Sequence, residues 1–173
     1  MNDLATTAPA FVEKAHTIVW GTLATVDRQG RPRTRVVHPM WEWDGTKLVG
    51  WIATMLTPVK RAHLDRTPFA SLTYFTADSR DDCSAECRAE LLSDDASCEE
   101  TWERFKATPE PVGYDPAIIP MWADGPTSPG FGVIRLEPWR LRILDGIFAI
   151  TGGEQGRLLT WQEEPARAIS SDS

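Results

Sequence analysis

A chain of 173 residues suits one domain with a buried core, and no shift in composition divides it into two. The formal net charge of −7 at pH 7 argues against nucleic acid as a partner, while 18 Lys and Arg residues leave room for a local anion site. Residues 1–11 lack the basic start and apolar run of a leader, and no later stretch is apolar enough to span a membrane; the expectation is a single cytoplasmic domain, 1–173, with residues 1–7 and 164–173 frayed.

Residues 8–16 place Phe11, Val12 and Ala15 on one helical face. A strand over 18–26 follows, then a polar Asp27-Arg28-Gln29-Gly30 connection and a returning strand over 31–38. Alternation puts Arg31, Arg33, Arg35 and Val37 on one face of that strand. Such a face is either solvated or turns its inner guanidinium groups, Arg33 and Arg35, toward an anionic ligand that suits their rigid fork of donors. The second reading is preferred for Arg35, and Arg31 is left at the surface. Asp44-Gly45 marks the next hairpin turn, and residues 48–53 form the third strand.

That strand runs into the stretch on which the functional reading turns. Thr57 is a good helix N-cap, and Pro58 at the first helical position gives up an amide proton that had no intrahelical acceptor. Lys60 and Arg61 therefore sit in a first turn, where the helix dipole disfavours cations unless an anion sits there too, held by amides, hydroxyl and ammonium together. This reads as a phosphate site. On spacing alone, an ordinary capped surface helix with two solvated basic residues is the other reading.

Pro68 ends the helix, and residues 69–75 and 83–92 read as further strands. Cys83, Cys87 and Cys98 lack the spacing of a metal site and are expected to be reduced, with no metal bound. Asp94 or Asp95 caps a helix to about residue 106 whose buried stripe is Cys98, Trp102 and Phe105. The Pro-rich stretch 108–130 is long for a loop and is read as a lid or covering segment whose aromatic and aliphatic residues, Tyr114, Ile118, Ile119, Met121 and Trp122, could wall a pocket. Strands over 131–136 and 139–144 are expected to flank Pro138, with a third at 147–151. The sum is a mainly β protein, a small antiparallel barrel of six to seven strands with capping helices.

The order Gly30-Arg31-Pro32, Arg35-Val36-Val37-His38-Pro39, Trp51-Ile52-Ala53-Thr54, Lys60 and Pro68-Phe69-Ala70-Ser71-Leu72 resembles the pyridoxamine 5′-phosphate oxidase-like family, the FMN-binding split barrels. The resemblance implies a split β-barrel and an FMN site. It implies that Arg35 lies near the cofactor, with the Val36 and Val37 backbone beside the flavin ring, Ala53 and Thr54 ending a strand there, and Lys60 on the phosphate. With the readings above, the candidate cofactor-binding set is Arg33, Arg35, Val36, Val37, Ala53, Thr54, Thr57, Lys60 and Arg61. The resemblance further implies a homodimer with cofactors at its interface, each closed by partner residues such as Trp139 and Arg140.

Two departures bear on the substrate. Val59 stands where the family's true oxidases have a second basic residue, and residues 149–173 contain none of the histidines they use for the substrate phosphate. The resemblance therefore points to a flavin-dependent oxidoreductase acting on a small molecule other than pyridoxamine phosphate. Alternatives are a deazaflavin (coenzyme F420) reductase and a non-catalytic flavin- or haem-binding stress protein. No catalytic side chain is assigned; His38 reads either as a hydrogen-bonded structural residue or as a proton donor near the ring.

Overall fold

The structure, a computed structural model, describes residues 1–164. Helix α1, Leu4–Ile18, starts earlier than expected because the Asp3 carboxylate accepts from the Thr6 amide and Thr7 is fully buried. Residues 4–7 are thus part of a capped helix and not a frayed end. The matching expectation for 164–173 lies, from residue 165 on, outside the described residues.

Strands β1 (Gly21–Val26) and β2 (Pro32–Val37) form the expected hairpin, and the buried Asp27 carboxylate accepts from the Gln29 and Arg31 amides at its turn. Gly30 there has φ +78°, which a residue with a side chain adopts only with strain. Strands β3 (Met40–Trp43) and β4 (Leu48–Met55) form a second hairpin, and helix α2 (Pro58–Arg66) follows. Next come β5 (Phe69–Phe75), β6 (Asp82–Leu92) and α3 (Asp95–Ala107), whose buried face is the expected Cys98, Trp102 and Phe105 together with Thr101.

Strand β7, Phe131–Leu144, is a single 14-residue strand where two were expected around Pro138. It pairs with β6 along most of its length, with β4 over 131–136 and with β8 (Leu158–Gln162) over 140–144. Pro138 falls in the gap where β4 has ended and β8 has not begun, and the ladder to β6 shifts register there, between Glu86 and Cys87. The bulge and the gap absorb its missing amide proton. The strand expected at 147–151 is instead a short helix α4, Gly146–Ile150, closed by Thr151.

Among the described residues all pairings are antiparallel in the order β2-β1-β5-β6-β7-β4-β3, with β8 beside β7, so the fold is a mainly β split barrel with helical caps, and the described residues form eight strands rather than six or seven. Leu23, Leu72, Ala85, Leu136, Leu141 and Ile143 fill its interior. Helix α1 adds Phe11, edge-on to Trp41 at 4.9 Å, and the Trp41 indole donates to the Tyr74 hydroxyl at 2.8 Å. Cys83, Cys87 and Cys98 are buried free thiols, pushed up in pKa mainly by burial, and act as small packing groups. Among the described residues no helix is long and apolar enough to cross a membrane.

Candidate functional site

The sheet runs from β2 at one edge to β4 and β3 at the other, and a cleft of about 800 Å³ is lined by residues from both ends. Strand β2 contributes Arg35, Val36 and Val37; β4 contributes Ile52, Ala53, Thr54 and Met55. Lys60, in the first turn of α2, also lines it.

The strand-to-helix corner is built as its sequence dictates. Thr57 Oγ1 accepts from the Lys60 amide at 3.2 Å, and Pro58 opens the helix. The Lys60 ammonium folds back over the corner, donating to Thr54 Oγ1 at 2.7 Å and to the Met55 carbonyl at 2.8 Å. Arg35 donates to Thr25 Oγ1 at 2.8 Å, and that hydroxyl lies 3.2 Å from His63 Nδ1; Thr25 and His63 are both buried.

Among the described residues neither Arg35 nor Lys60 forms an ion pair, in contrast to Arg31, which binds Asp27 at 2.9 Å. Burial first, and then the Arg35 charge, lowers the pKa of Lys60; burial, and then Arg33, lowers that of Arg35. Two partly buried cations that disfavour each other and have no carboxylate between them form an electrostatic hole for an anion.

The family model of pyridoxamine 5′-phosphate oxidase matches residues 7–145. The chain belongs to this family. Among solved structures, it is similar to a protein related to general stress protein 26 from Clostridium acetobutylicum, with 15% identity over 90% of this chain and 91% of that one and a TM-score of 0.63. A pyridoxamine 5′-phosphate oxidase-related, FMN-binding protein from Nostoc punctiforme shares 17% identity over 91% and 93%, with a TM-score of 0.55. A haem-binding protein from Mycobacterium smegmatis shares 17% over 94% of this chain and 59% of its own, with a TM-score of 0.58. Among curated proteins none matches in sequence.

In this member of the pyridoxamine 5′-phosphate oxidase family, the structure brings Arg35, Val36, Val37, Ala53, Thr54 and Lys60 to one cleft, with Thr57 behind them as the cap. It does not bring Arg33 or Arg61 there. Arg33 is two residues nearer the hairpin turn, a displacement of about 7 Å along a strand, and lines a separate groove with Asp27, Arg31 and His63. Arg61 is one helical step, about 100°, round from Lys60, and donates to Ser93 Oγ at 2.9 Å. Arg140 pairs with Glu86 at 2.6 Å, and neither it nor Trp139 lines the cleft of its own chain.

The far wall is the covering segment 108–130. It is anchored: the Tyr114 amide donates to the Phe105 carbonyl at 3.1 Å, and Trp122 packs edge-on to Phe131 at 5.0 Å. His38 lies between Trp20 and Tyr114, each ring centroid 4.9 Å from its own, with Tyr114 stacked at 26°. Burial lowers the His38 pKa, with the carbonyls of Val112 and Pro111 acting against it, and His38 Nε2 has no hydrogen-bond partner. Trp20, Thr25 and His63 are the site residues that sequence reasoning missed. Thr25 had a usable signal: it faces Arg33 across the hairpin and is thus a diagonal neighbour of Arg35.

Proposed function

We propose that the cleft binds FMN and that the protein is a flavin-dependent oxidoreductase whose small-molecule substrate is not pyridoxamine phosphate. The observation that carries this reading is the pair of unpaired, partly buried cations, Arg35 and Lys60, at one end of a preformed and otherwise largely apolar cleft. They fit a phosphate. Thr25 and His63 hold the Arg35 fork, Thr54 holds the Lys60 ammonium, and Val36, Val37 and Ala53 offer backbone and small apolar side chains to a flat ring. When bound, FMN supplies hydride chemistry, and the side chains bind, orient and exclude water. The FMN-binding relative from Nostoc punctiforme supports the assignment.

A homodimer belongs to the same proposal. Trp20, Val36, Met55, Ile118 and Met121 are exposed on the rim of the cleft, and a second copy would cover them. Sedimentation is expected to give twice the 19.3 kDa chain mass.

The second reading is haem. The haem-binding relative favours it, and His38, which lines the cleft, carries an imidazole, a common iron ligand. The deazaflavin F420 also carries a phosphate and would share the Arg35 and Lys60 corner. The absorbance spectrum of the purified protein, followed by titration of the ligand-free protein with FMN, tests all three. A flavin spectrum with saturable FMN binding is expected; a Soret band, or no binding of FMN, would overturn the proposal.

A further inference from the structure

Arg35 is held from behind by two residues, Thr25 and His63, that do not line the cleft. Its Nη2 donates to Thr25 Oγ1 at 2.8 Å and reaches the Arg33 carbonyl at 3.4 Å, while among the described residues its Nε and Nη1 make no hydrogen bond. Thr25 Oγ1 in turn lies 3.2 Å from Nδ1 of His63, on α2, and the two residues are only 1% and 7% exposed. A guanidinium can only donate, so Arg35 uses a lone pair of the Thr25 hydroxyl, which has one proton of its own to give. If His63 also donated, that buried proton would have no acceptor, because among the described residues Thr25 Oγ1 has no third hydrogen-bond partner. The direction of the chain is therefore fixed: Thr25 gives its proton to His63 Nδ1, and His63 carries its own proton on Nε2.

We propose that His63 is a positioning residue of the cofactor site: by accepting at Nδ1 it orients the Thr25 hydroxyl, which fixes the Arg35 guanidinium so that Nε and Nη1 stay free for a phosphate. The proposal rests on the FMN reading only for the identity of that anion. Arg35 needs such a hold. Its charge and that of Lys60 disfavour each other, and an arginine has many rotamers, so an unrestrained Arg35 would swing away from Lys60 and have to be ordered again when the anion arrives. A hydroxyl suits the task because it accepts from Arg35 without neutralising it. A carboxylate in that place would take up the charge meant for the ligand, as Asp27 does for Arg31. His63 itself lines the neighbouring groove with Arg28, Arg31 and Arg33, and acts on the cleft through Thr25 alone.

The hydrogen-bond direction is tested on the ligand-free protein by long-range proton–nitrogen correlation spectra of the histidine rings, the His63 signal being identified by its loss in His63→Asn. A proton on Nε2 is expected; a proton on Nδ1 would overturn the proposal whether or not FMN binds. The positioning role is read from FMN titrations. His63→Leu removes the acceptor and should weaken FMN about fivefold, the effect of having to order one long side chain. His63→Asn, whose Oδ1 can take the place of Nδ1, should stay within about twofold of the parent, a rescue that loss of packing would not allow. Thr25→Val breaks the chain at its middle, should show the same loss as His63→Leu, and serves if that variant does not fold; adding His63→Leu to it should cost nothing further, since the two act in series. Parental affinity in His63→Leu or Thr25→Val, equal losses in His63→Leu and His63→Asn, or additive losses would overturn the proposal. Should FMN fail to bind the parent, the same series titrated with inorganic phosphate decides the role and only the cofactor reading falls; a parent that binds neither would overturn both.

Discussion

Two lysines in this chain face opposite circumstances. Lys14, on α1, is almost fully enclosed, with its ammonium 2.7 Å from carboxylate oxygens of both Asp81 and Asp145. Burial acts to lower its pKa, but the two carboxylates outweigh burial and the net shift is upward. Lys60 is also partly buried, yet its neighbours are a hydroxyl, a carbonyl and the Arg35 charge, and its pKa is lowered. The same side chain is electrostatically satisfied in one place and unsatisfied in the other. The first arrangement pins α1 to the turn before β6 and to the residue after β7; the second offers affinity to an anion.

The largest effect separating the two sites is expected at Lys14. Lys14→Met leaves Asp81 and Asp145 without the cation between them and should destabilise the fold by about 3 kcal/mol, the typical cost of breaking an enclosed ion pair, as read from the denaturation midpoint. FMN affinity should not change. A variant as stable as the parent would mean that the cluster is solvated and the contrast is lost.

Lys60→Ala should do the reverse. FMN binding is expected to weaken at least tenfold, the loss of a charge-assisted bond of roughly 1.5–3 kcal/mol. The ligand-free protein should be as stable as the parent or slightly more so, because a repelling neighbour of Arg35 is gone. Arg35→Ala belongs in the same class, whereas Arg31→Ala should leave FMN affinity unchanged because Arg31 is engaged by Asp27. Equal losses at Arg31 and Arg35 in an FMN titration would relocate the site to the neighbouring groove.

A smaller effect is expected at the cap that presents Lys60. Thr57→Ala removes the acceptor of the Lys60 amide and should cost about 1 kcal/mol of stability, measurable by thermal unfolding. A variant of unchanged stability would mean that Pro58 alone suffices to start α2.

The smallest effect concerns pH. Asp27 is held at about 2, from an ordinary 3.8: burial acts to raise it, but the donors of Arg31 and Gln29 and the Arg31 charge outweigh burial. A depressed carboxylate contributes stability that is fully present above about pH 4 and is lost as pH falls through about 2. Asp27→Asn should therefore flatten the acid limb of the stability curve between those values. Asp81 and Asp145, also lowered, should leave a remaining acid sensitivity in that variant.

Elements whose physics is local were legible in the chain itself. The Thr57-Pro58 start of α2, the α3 stripe of Cys98, Trp102 and Phe105, and the hairpin turns at Asp27–Gly30 and Asp44-Gly45 all follow from caps, turn residues and periodicity acting over a few positions, whereas the grouping of Arg35 with Lys60 was implied only by the family resemblance. The N-terminal helix was read short because the Asp3 cap lies before the apolar pattern begins, and burial of Thr7 comes from tertiary packing.

What tertiary structure alone decided were outcomes that depend on distant partners. Pro138 stays inside one strand because β4 ends and β8 begins on either side of it, which no local rule at Pro138 contains. Arg33 and Arg35 share a strand face, but only α2, lying across the corner, assigns one to a groove and the other to the cleft. Trp20 and His38 are neighbours across the β1–β2 hairpin, but Tyr114 reaches them only because the covering segment is anchored by Phe105 and Phe131. Sequence determined which groups could bind an anion, because capping and charge are properties of neighbours along the chain; the fold determined which cations were left unpaired, because pairing depends on everything that packing brings near.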